Sequence, residues 1–471
     1  MRVKYRNVYI VLVLIALLGL TGCSYDDVLE LFDFSGSKGE STITIEKDSG
    51  NADCADMPII VMHTDDDMKI SIEPVIEEET ALPWQEEVWD DVNKIYSKSA
   101  ASPTEITLGF AGDICFYDEY ANMSTLRSQA NGIYDCILEG VMNGLKAVDI
   151  MMVNNEFAYS DRGTPTAGKK YAFRSKPSNV SMLDDMGVDI VSLANNHAYD
   201  WGPDALMDTF DILTEAKVPY VGAGRNIDEA VKPVYYKING KTIAYTSATQ
   251  IERLANPDTK EATSDSPGVL RTLDPSRFVN VIQQAKENSD FVVVYVHWGS
   301  ENTDLVEASQ RELAKKYAAA GADLIIGDHP HCLQGIDYVD GVPVIYSLGN
   351  FWFNSKTVDT GYIKATLDGD CNLSTLQFIP CVQEGCKTRL ALDDKKSSIL
   401  KYMQGISDYA QIDEEGYITR SDTSHNTQNG QNTSPSKKSD VEETGAVDGA
   451  ANPATNTLTP AEAASDAVTP L

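Results

Sequence analysis

Positive charge is what this 471-residue chain is shortest of. Its 38 Lys and Arg face 71 Asp and Glu, a formal net charge of −33. A field of that sign excludes nucleic acid and anionic lipid as partners held by general electrostatics. It also disfavours a polyanionic substrate, except where bound cations reverse the sign locally. Cysteine is scarce too: setting Cys23 aside, Cys54, Cys115, Cys136, Cys332, Cys371, Cys381 and Cys386 remain. An odd, sparse set excludes a disulfide scaffold. Cys371, Cys381 and Cys386 lie close enough in sequence for one local bridge, with the pair undetermined. No internal repeat is present. Histidine is rarer still, with six, so its placement is informative. Four of the six (His197, His297, His329, His331) follow strand-like apolar runs.

The N-terminus sets the expected compartment. Arg2, Lys4 and Arg6 precede an apolar stretch at 8–20, too short for a stably spanning helix and built like a signal peptide. Leu20-Thr21-Gly22-Cys23 then resembles the lipobox of bacterial lipoproteins, which implies a lipidated Cys23 and a domain tethered outside the cell membrane. Four segments are expected: a signal peptide at 1–23, an acidic flexible stalk with at most short local structure at 24–103, a folded domain at 104–420, and a disordered polar tail at 421–471. The stalk carries Asp65-Asp66-Asp67 and Glu77-Glu78-Glu79, and the tail has no aromatic residue.

Between the flanks, strand and helix patterns alternate. Strands are expected at 106–110, 150–153, 190–193, 220–221, 291–296, 324–326 and 344–347. Helices are expected at about 133–145, 203–216, 275–287 and 309–320. Asn239-Gly240 between two alternating runs predicts a hairpin of 234–238 with 242–246. The pattern defines an α/β domain long enough for two sheets packed face to face.

Five strand ends deliver polar residues: Gly112-Asp113, Asn154-Asn155-Glu156, Asn195-Asn196-His197, His297-Trp298-Gly299 and His329-Pro330-His331. In α/β sheets the carboxyl ends of strands form the ligand crevice, so residues distant in sequence converge there. Carboxylates, side-chain amides and imidazoles make the mixed oxygen and nitrogen set of a two-metal hydrolytic site, compatible with manganese, iron or zinc. Each residue alone has a plainer reading, Asp113 as a cap, Asn195-Asn196 as turn formers, His297 as a core residue. Five coincidences at strand ends outweigh these. Arg174, in Phe173-Arg174-Ser175, is a candidate for a substrate anion or a surface salt bridge.

The stretches GFAGDICF (109–116), NNEFA (154–158), SLANNHAYDWG (192–202), VYVHWGSE (294–301) and GADLIIGDHPHCLQG with VIYSLGNF (321–351) resemble the CapA-type proteins of poly-γ-glutamate capsule synthesis. That family is a branch of the calcineurin-like metallophosphoesterases. The resemblance implies a four-layer α/β/β/α sandwich with two divalent ions at the strand ends. Position by position it implies Asp113, Glu156, Asn196, His297, His329 and His331 as ligands, Glu156 standing where the superfamily has a bridging Asp. It further implies His197 as the histidine that protonates or stabilises the leaving group, oriented by Asp200. One departure stands out: the superfamily's histidine two residues after the first aspartate is Cys115 here, which is expected to pack rather than ligate zinc, leaving one metal position weak or empty. Asp328 is a candidate to orient an imidazole or to cap its loop, and Asn350 to shape the rim.

Three functions follow. The first is an extracytoplasmic metal-dependent hydrolase or transferase acting on an anionic polymer such as poly-γ-glutamate. The second is a non-catalytic subunit guiding polymer beside a membrane synthase. The third is a general extracellular phosphoesterase.

Overall fold

A computed structural model describes residues 87–251 and 259–424 in full, together with the backbone of Ile60–Thr64 and Ile70–Pro74. The signal peptide, Cys23, Cys54 and the tail beyond 424 lie outside the described residues. The chain divides into two units, Met1–Trp84 and Gln85–Leu471. In the first, Ile60–Thr64 pairs antiparallel with Ile70–Pro74 inside the segment read as an acidic stalk.

The second unit carries two eight-stranded sheets. In chain order their strands are β1 (Trp89–Asp90), β2 (Ile95–Ser97), β3 (Ile106–Ile114), β4 (Ile150–Asn155), β5 (Ile190–Ser192) and β6 (Tyr220–Val221). Next come β7 (Val234–Ile238), β8 (Lys241–Thr249), β9 (Phe291–His297), β10 (Leu324–Asp328), β11 (Leu333–Val339) and β12 (Val342–Leu348). The last are β13 (Asn350–Trp352), β14 (Val358–Leu367), β15 (Leu373–Glu384) and β16 (Lys387–Leu390). One sheet runs β6-β5-β4-β3-β14-β15-β16 with β13 beside β3, and the other runs β11-β12-β10-β9-β8-β7-β2-β1.

Side-chain alternation builds the layers. Ile150 and Met152 of β4 and Val293 and Tyr295 of β9 point into one core between the sheets. Their neighbours Met151 and Val153 face a second core with Val141 and Leu145 of α1 (Glu139–Lys146) and Leu206, Phe210 and Leu213 of α2 (Gly202–Glu215). Val292, Val294 and Val296 face a third core with Phe278 and Ile282 of α3 (Ser276–Glu287) and Leu313 and Tyr317 of α4 (Ala308–Ala320). A strand buried on both faces follows from the two-residue pleat, and the result is the expected α/β/β/α sandwich. Local chemistry agrees with it. Asn239 (φ 50°) and Gly240 (φ 74°) turn the hairpin of β7 and β8, and Glu307 with Gln310 forms a capping box on α4.

Several expectations change. The folded unit begins before residue 104: Ile95–Ser97 pairs in parallel with Tyr235–Lys237, and Tyr96 enters the inter-sheet core. A three-residue strand has no period to read. The expected helix at 133–145 is a 3-10 turn, Gly132–Asp135, and then α1, because the Cys136 carbonyl and the Leu138 amide bond the Thr388 backbone instead. The antiparallel pair of β14 and β15 was not legible, since Gly361 sits opposite Pro380 and both weaken a strand reading. Nor were β11 and α5 (Asp393–Ile406) anticipated. The six described cysteines are free. Cys371 lies in the inter-sheet core and Cys381 on the opposite face, several strand residues away, at about 3.3 Å each. Cys386 sits at the hairpin tip, three pairs beyond Cys381, roughly 10 Å on the same rise and beyond disulfide reach.

Lys94 is one of the buried charges of this fold. It is 3% exposed, donates to the Tyr220 carbonyl at 3.1 Å, and lies 4.4 Å from the Tyr220 ring centroid. Burial lowers its pKa from 10.5 to about 8. Between those values the unfolded chain binds more protons, so this residue makes stability rise with pH through that window. At pH 7 the penalty is constant, on the order of 3 kcal/mol. A Lys94→Met variant should therefore lose its stability gain over wild type by up to about that amount between pH 8 and 10.5. Urea unfolding of both proteins across that range measures it, and a flat difference would refute it.

Candidate metal centre at the strand ends

Close backbone approach brings the strand ends together. A Cβ on Gly112 would lie 2.0 Å from the Gly349 carbonyl oxygen, and the Asp113 amide donates to that same oxygen at 3.0 Å. A Cβ on Gly327 would lie 2.2 Å from Trp298 Nε1. Strand register then aligns the functional residues: Asp113 sits beside Asn154 and Asn350, and His297 beside Asp328. His329 (φ 99°) and His331 (φ 57°) both hold left-handed backbone conformations, which non-glycine residues adopt at a cost and keep mainly where the surroundings dictate them.

The side chains form two groups around one carboxylate. Glu156, His297 and His329 offer one set of donor atoms within 4.8 Å of one another, and Asp113, Glu156 and His331 offer another. His297 Nε2 lies 2.9 Å from Asn196 Oδ1 and 3.0 Å from His329 Nδ1. His331 Nδ1 lies 3.1 Å from Asp113 Oδ2. Neighbouring donors of an octahedral ion with bonds of about 2.1 Å are about 3 Å apart, so these spacings suit a divalent cation. Asn154 Nδ2 donates to Asp113 Oδ1 at 2.7 Å and so ties the first strand end to the second.

Glu156 supplies the test of fit. It is fully buried, its Oε1 accepts no hydrogen bond, and that oxygen lies 3.7 Å from both His197 Nε2 and His297 Nε2 and 4.0 Å from His331 Nε2. Burial first, then the charges of Asp113 and Asp328, push its pKa well up. Asp328 is raised by burial and Asp113, and His297 is lowered by burial and its fellow histidines. A divalent cation reverses every one of these penalties, because carboxylate and neutral imidazole are then the favoured forms. Asp113, Glu156, Asn196, His297, His329 and His331 thus suit divalent cations, with Glu156 common to both donor groups.

His197 differs from the other histidines. Its Nδ1 lies 2.7 Å from Asp200 Oδ2, which also accepts from the Phe173 amide at 2.6 Å. Its ring stacks on Phe173 with centroids 4.2 Å apart. Nδ1 therefore carries the proton toward Asp200, and Nε2 faces the cluster. Burial lowers the His197 pKa, opposed by Asp200 and assisted by Lys169.

Not every expected residue converges. Arg174 stacks over Trp201 at 3.6 Å and donates to the Arg162 carbonyl at 2.9 Å, which occupies its guanidinium outside the donor groups. Cys115 is fully buried among Phe116 and other apolar side chains, and burial pushes its thiol well up. Asp328 bonds Tyr295, whose hydroxyl is also 2.9 Å from the Ala111 carbonyl of the other sheet, so it braces the loop beneath His329. Sequence reasoning missed Lys169, whose side chain is 5% exposed and which bonds both the Asp200 carboxylate and the Asn196 carbonyl. It lies in Gly168-Lys169-Lys170-Tyr171, outside any periodic run. A cavity of about 460 Å³ opens from His329 and Asn196 toward Gln250, Ser300, Glu301 and Glu307.

Fold and site together define a two-sheet sandwich with a candidate dinuclear centre at the strand ends. Residues 107–355, over half of the chain, match the family described as "Bacterial capsule synthesis protein PGA_cap", and the chain belongs to that family. It is 30% identical over 322 residues to "PGA biosynthesis protein CapA" of Bacillus subtilis, covering 67% of this chain and 82% of that one. To "Capsule biosynthesis protein CapA" of Bacillus anthracis it is 35% identical over 231 residues, covering 46% and 54%. Among solved structures it is similar to the sulfate thiohydrolase SoxB of Thermus thermophilus, with 11% identity, a TM-score of 0.33, and coverage of 66% of this chain and 60% of that one.

The Gly112 contact predicts that Gly112→Ala forces β3 and the loop before β13 apart. The variant should lose about 2 kcal/mol or more of stability. A thermal melt within a degree of wild type would contradict that close approach.

Proposed function

We propose that this chain is a metal-dependent hydrolase or transferase of poly-γ-glutamate capsule synthesis, acting on the anionic polymer outside the cell. The observation that carries the reading is the Glu156 carboxylate oxygen, buried without a hydrogen bond between three imidazoles. Two divalent ions held by Asp113, Glu156, Asn196, His297, His329 and His331 would supply Lewis-acid charge and an activated water, and would reverse the local sign that otherwise repels a polyanion. Manganese, iron and zinc all suit such oxygen and nitrogen donors.

The chain's own residues do the rest. His197 keeps one proton at Nδ1 against Asp200 and presents Nε2 toward the cluster, where it delivers a proton to the departing group. Asp200 favours the doubly protonated ring against the cost of burial, and Lys169 holds Asp200 in place. Phe173 keeps the imidazole plane fixed by stacking. The family match and the relatives' names support the polymer as substrate. Lipidation at Cys23 would tether the domain to the membrane beside a synthase. No helix among the described residues is long and apolar enough to cross a membrane.

The test compares metal-loaded wild type with His197→Ala and Asp200→Asn on γ-linked glutamate oligomers and on a chromogenic phosphoester. His197→Ala should lower kcat roughly 100- to 10,000-fold with its metal content unchanged. Equal turnover in wild type and variant would remove the catalytic reading in favour of a polymer-guiding subunit. Turnover of the phosphoester alone would favour a general phosphoesterase.

A further inference from the structure

The two cation positions are unequally furnished. The one at His329 has four donors, Glu156, Asn196, His297 and His329. The one at Asp113 has three, Asp113, Glu156 and His331, because Cys115 is turned into the apolar layer under the sheet. A fourth donor does reach the Asp113 position. Asn350 Oδ1 lies 2.9 Å from His331 Nδ1, the atom that also lies 3.1 Å from Asp113 Oδ2. These spacings match the 2.9 and 3.0 Å separations of the donors around His297.

Asn350 is brought there by the backbone. It is 2% exposed, it opens β13, and it sits in register with Asp113. The preceding Gly349 has φ 67°, and a Cβ there would lie 2.9 Å from the Cys332 carbonyl carbon. Its carbonyl is the acceptor of the Asp113 amide. The same two-glycine contact therefore fixes Asp113, the His331 loop and Asn350 relative to one another.

We propose that Asn350 is a ligand of the Asp113-side cation, completing through its amide oxygen a position to which Cys115 contributes nothing. An amide oxygen is a neutral, hard donor suited to manganese or magnesium and weaker than imidazole toward zinc. With one imidazole where the His329 side has two, the Asp113-side cation is the more weakly held of the two. The inference rests on the dinuclear reading of the site, and its test separates the two claims.

The full chain, stripped of metal, is titrated with Mn²⁺ by calorimetry, and the bound ions are counted after dialysis. Electron paramagnetic resonance distinguishes a coupled pair from an isolated ion. Wild type should bind two ions of unequal affinity and show the coupled signal. Asn350→Leu and Asn350→Ala should keep the tighter ion, lose the coupled signal, and bind the second roughly 10- to 100-fold more weakly. The retained ion shows that the strand ends are still assembled. Asn350→Asp and Cys115→Ser should each keep two. Two ions bound with wild-type affinity in both Asn350→Leu and Asn350→Ala would overturn the assignment of Asn350, as would loss of an ion in Cys115→Ser. Fewer than two ions in wild type at saturation would overturn the dinuclear reading itself.

Discussion

The architecture of this site depends on one carboxylate being buried where a carboxylate does not belong. Glu156 follows β4, an interior strand of its sheet, fully enclosed, with one oxygen unsatisfied and imidazoles on several sides. Burying such a group without a partner costs several kcal/mol, unless it is neutralised by a proton or met by a cation. Around it lie two further buried carboxylates, Asp113 and Asp328, and two histidines in left-handed backbone conformations. Strain and like charge gathered at one point are tolerated when the surrounding framework dictates them. Here the framework is the paired parallel strands and the glycine contacts between their ends.

The same constraint divides labour among the histidines. His297, His329 and His331 reach the centre from the second sheet and its following loop, while His197 approaches from the first. His197 has the buried Asp200 carboxylate at its far nitrogen, and that carboxylate is in turn held by Lys169 and a backbone amide. A ring held in one orientation, with one nitrogen committed and the other facing the centre, has the geometry that the proposed proton transfer requires. Lys169 is also the buried cation nearest this group, in a chain whose overall charge is strongly negative.

Much of this was legible beforehand. Hydrophobic runs ending in polar clusters marked β3, β4, β5, β9 and β10, and each of the six expected donors lies in the cluster that the structure assembles. Asn239-Gly240 announced its hairpin because two consecutive left-handed residues leave few sequence choices. The rest was hidden for specific reasons. Lys169 sits in a loop with no periodicity, and its importance comes from a buried contact with Asp200 across 31 residues of chain. Asn350 looked like a loop-rim residue, because nothing local says that β13 lies in register with Asp113. Arg174 was open between a substrate anion and a surface salt bridge, and no local pattern says that its guanidinium stacks on Trp201. The strands at 89–97 and the long pair β14 and β15 were masked by shortness and by Gly361 and Pro380.

What the sequence determined by itself was the inventory and the ends: which apolar runs are strands, and which polar residues stand where they stop. Both follow from local rules, the two-residue pleat and the tendency of strand termini to carry ligands. Tertiary structure alone decided the grouping. Whether His331 faces Asp113 or solvent, whether Cys115 ligates or packs, and whether Asn350 is rim or donor depend on how two sheets meet. Part of that meeting is the backbone contact of Gly112 on β3 with Gly349, which follows β12. Close approach between distant segments leaves no periodic trace in either one, so it could be seen only once the chain was folded.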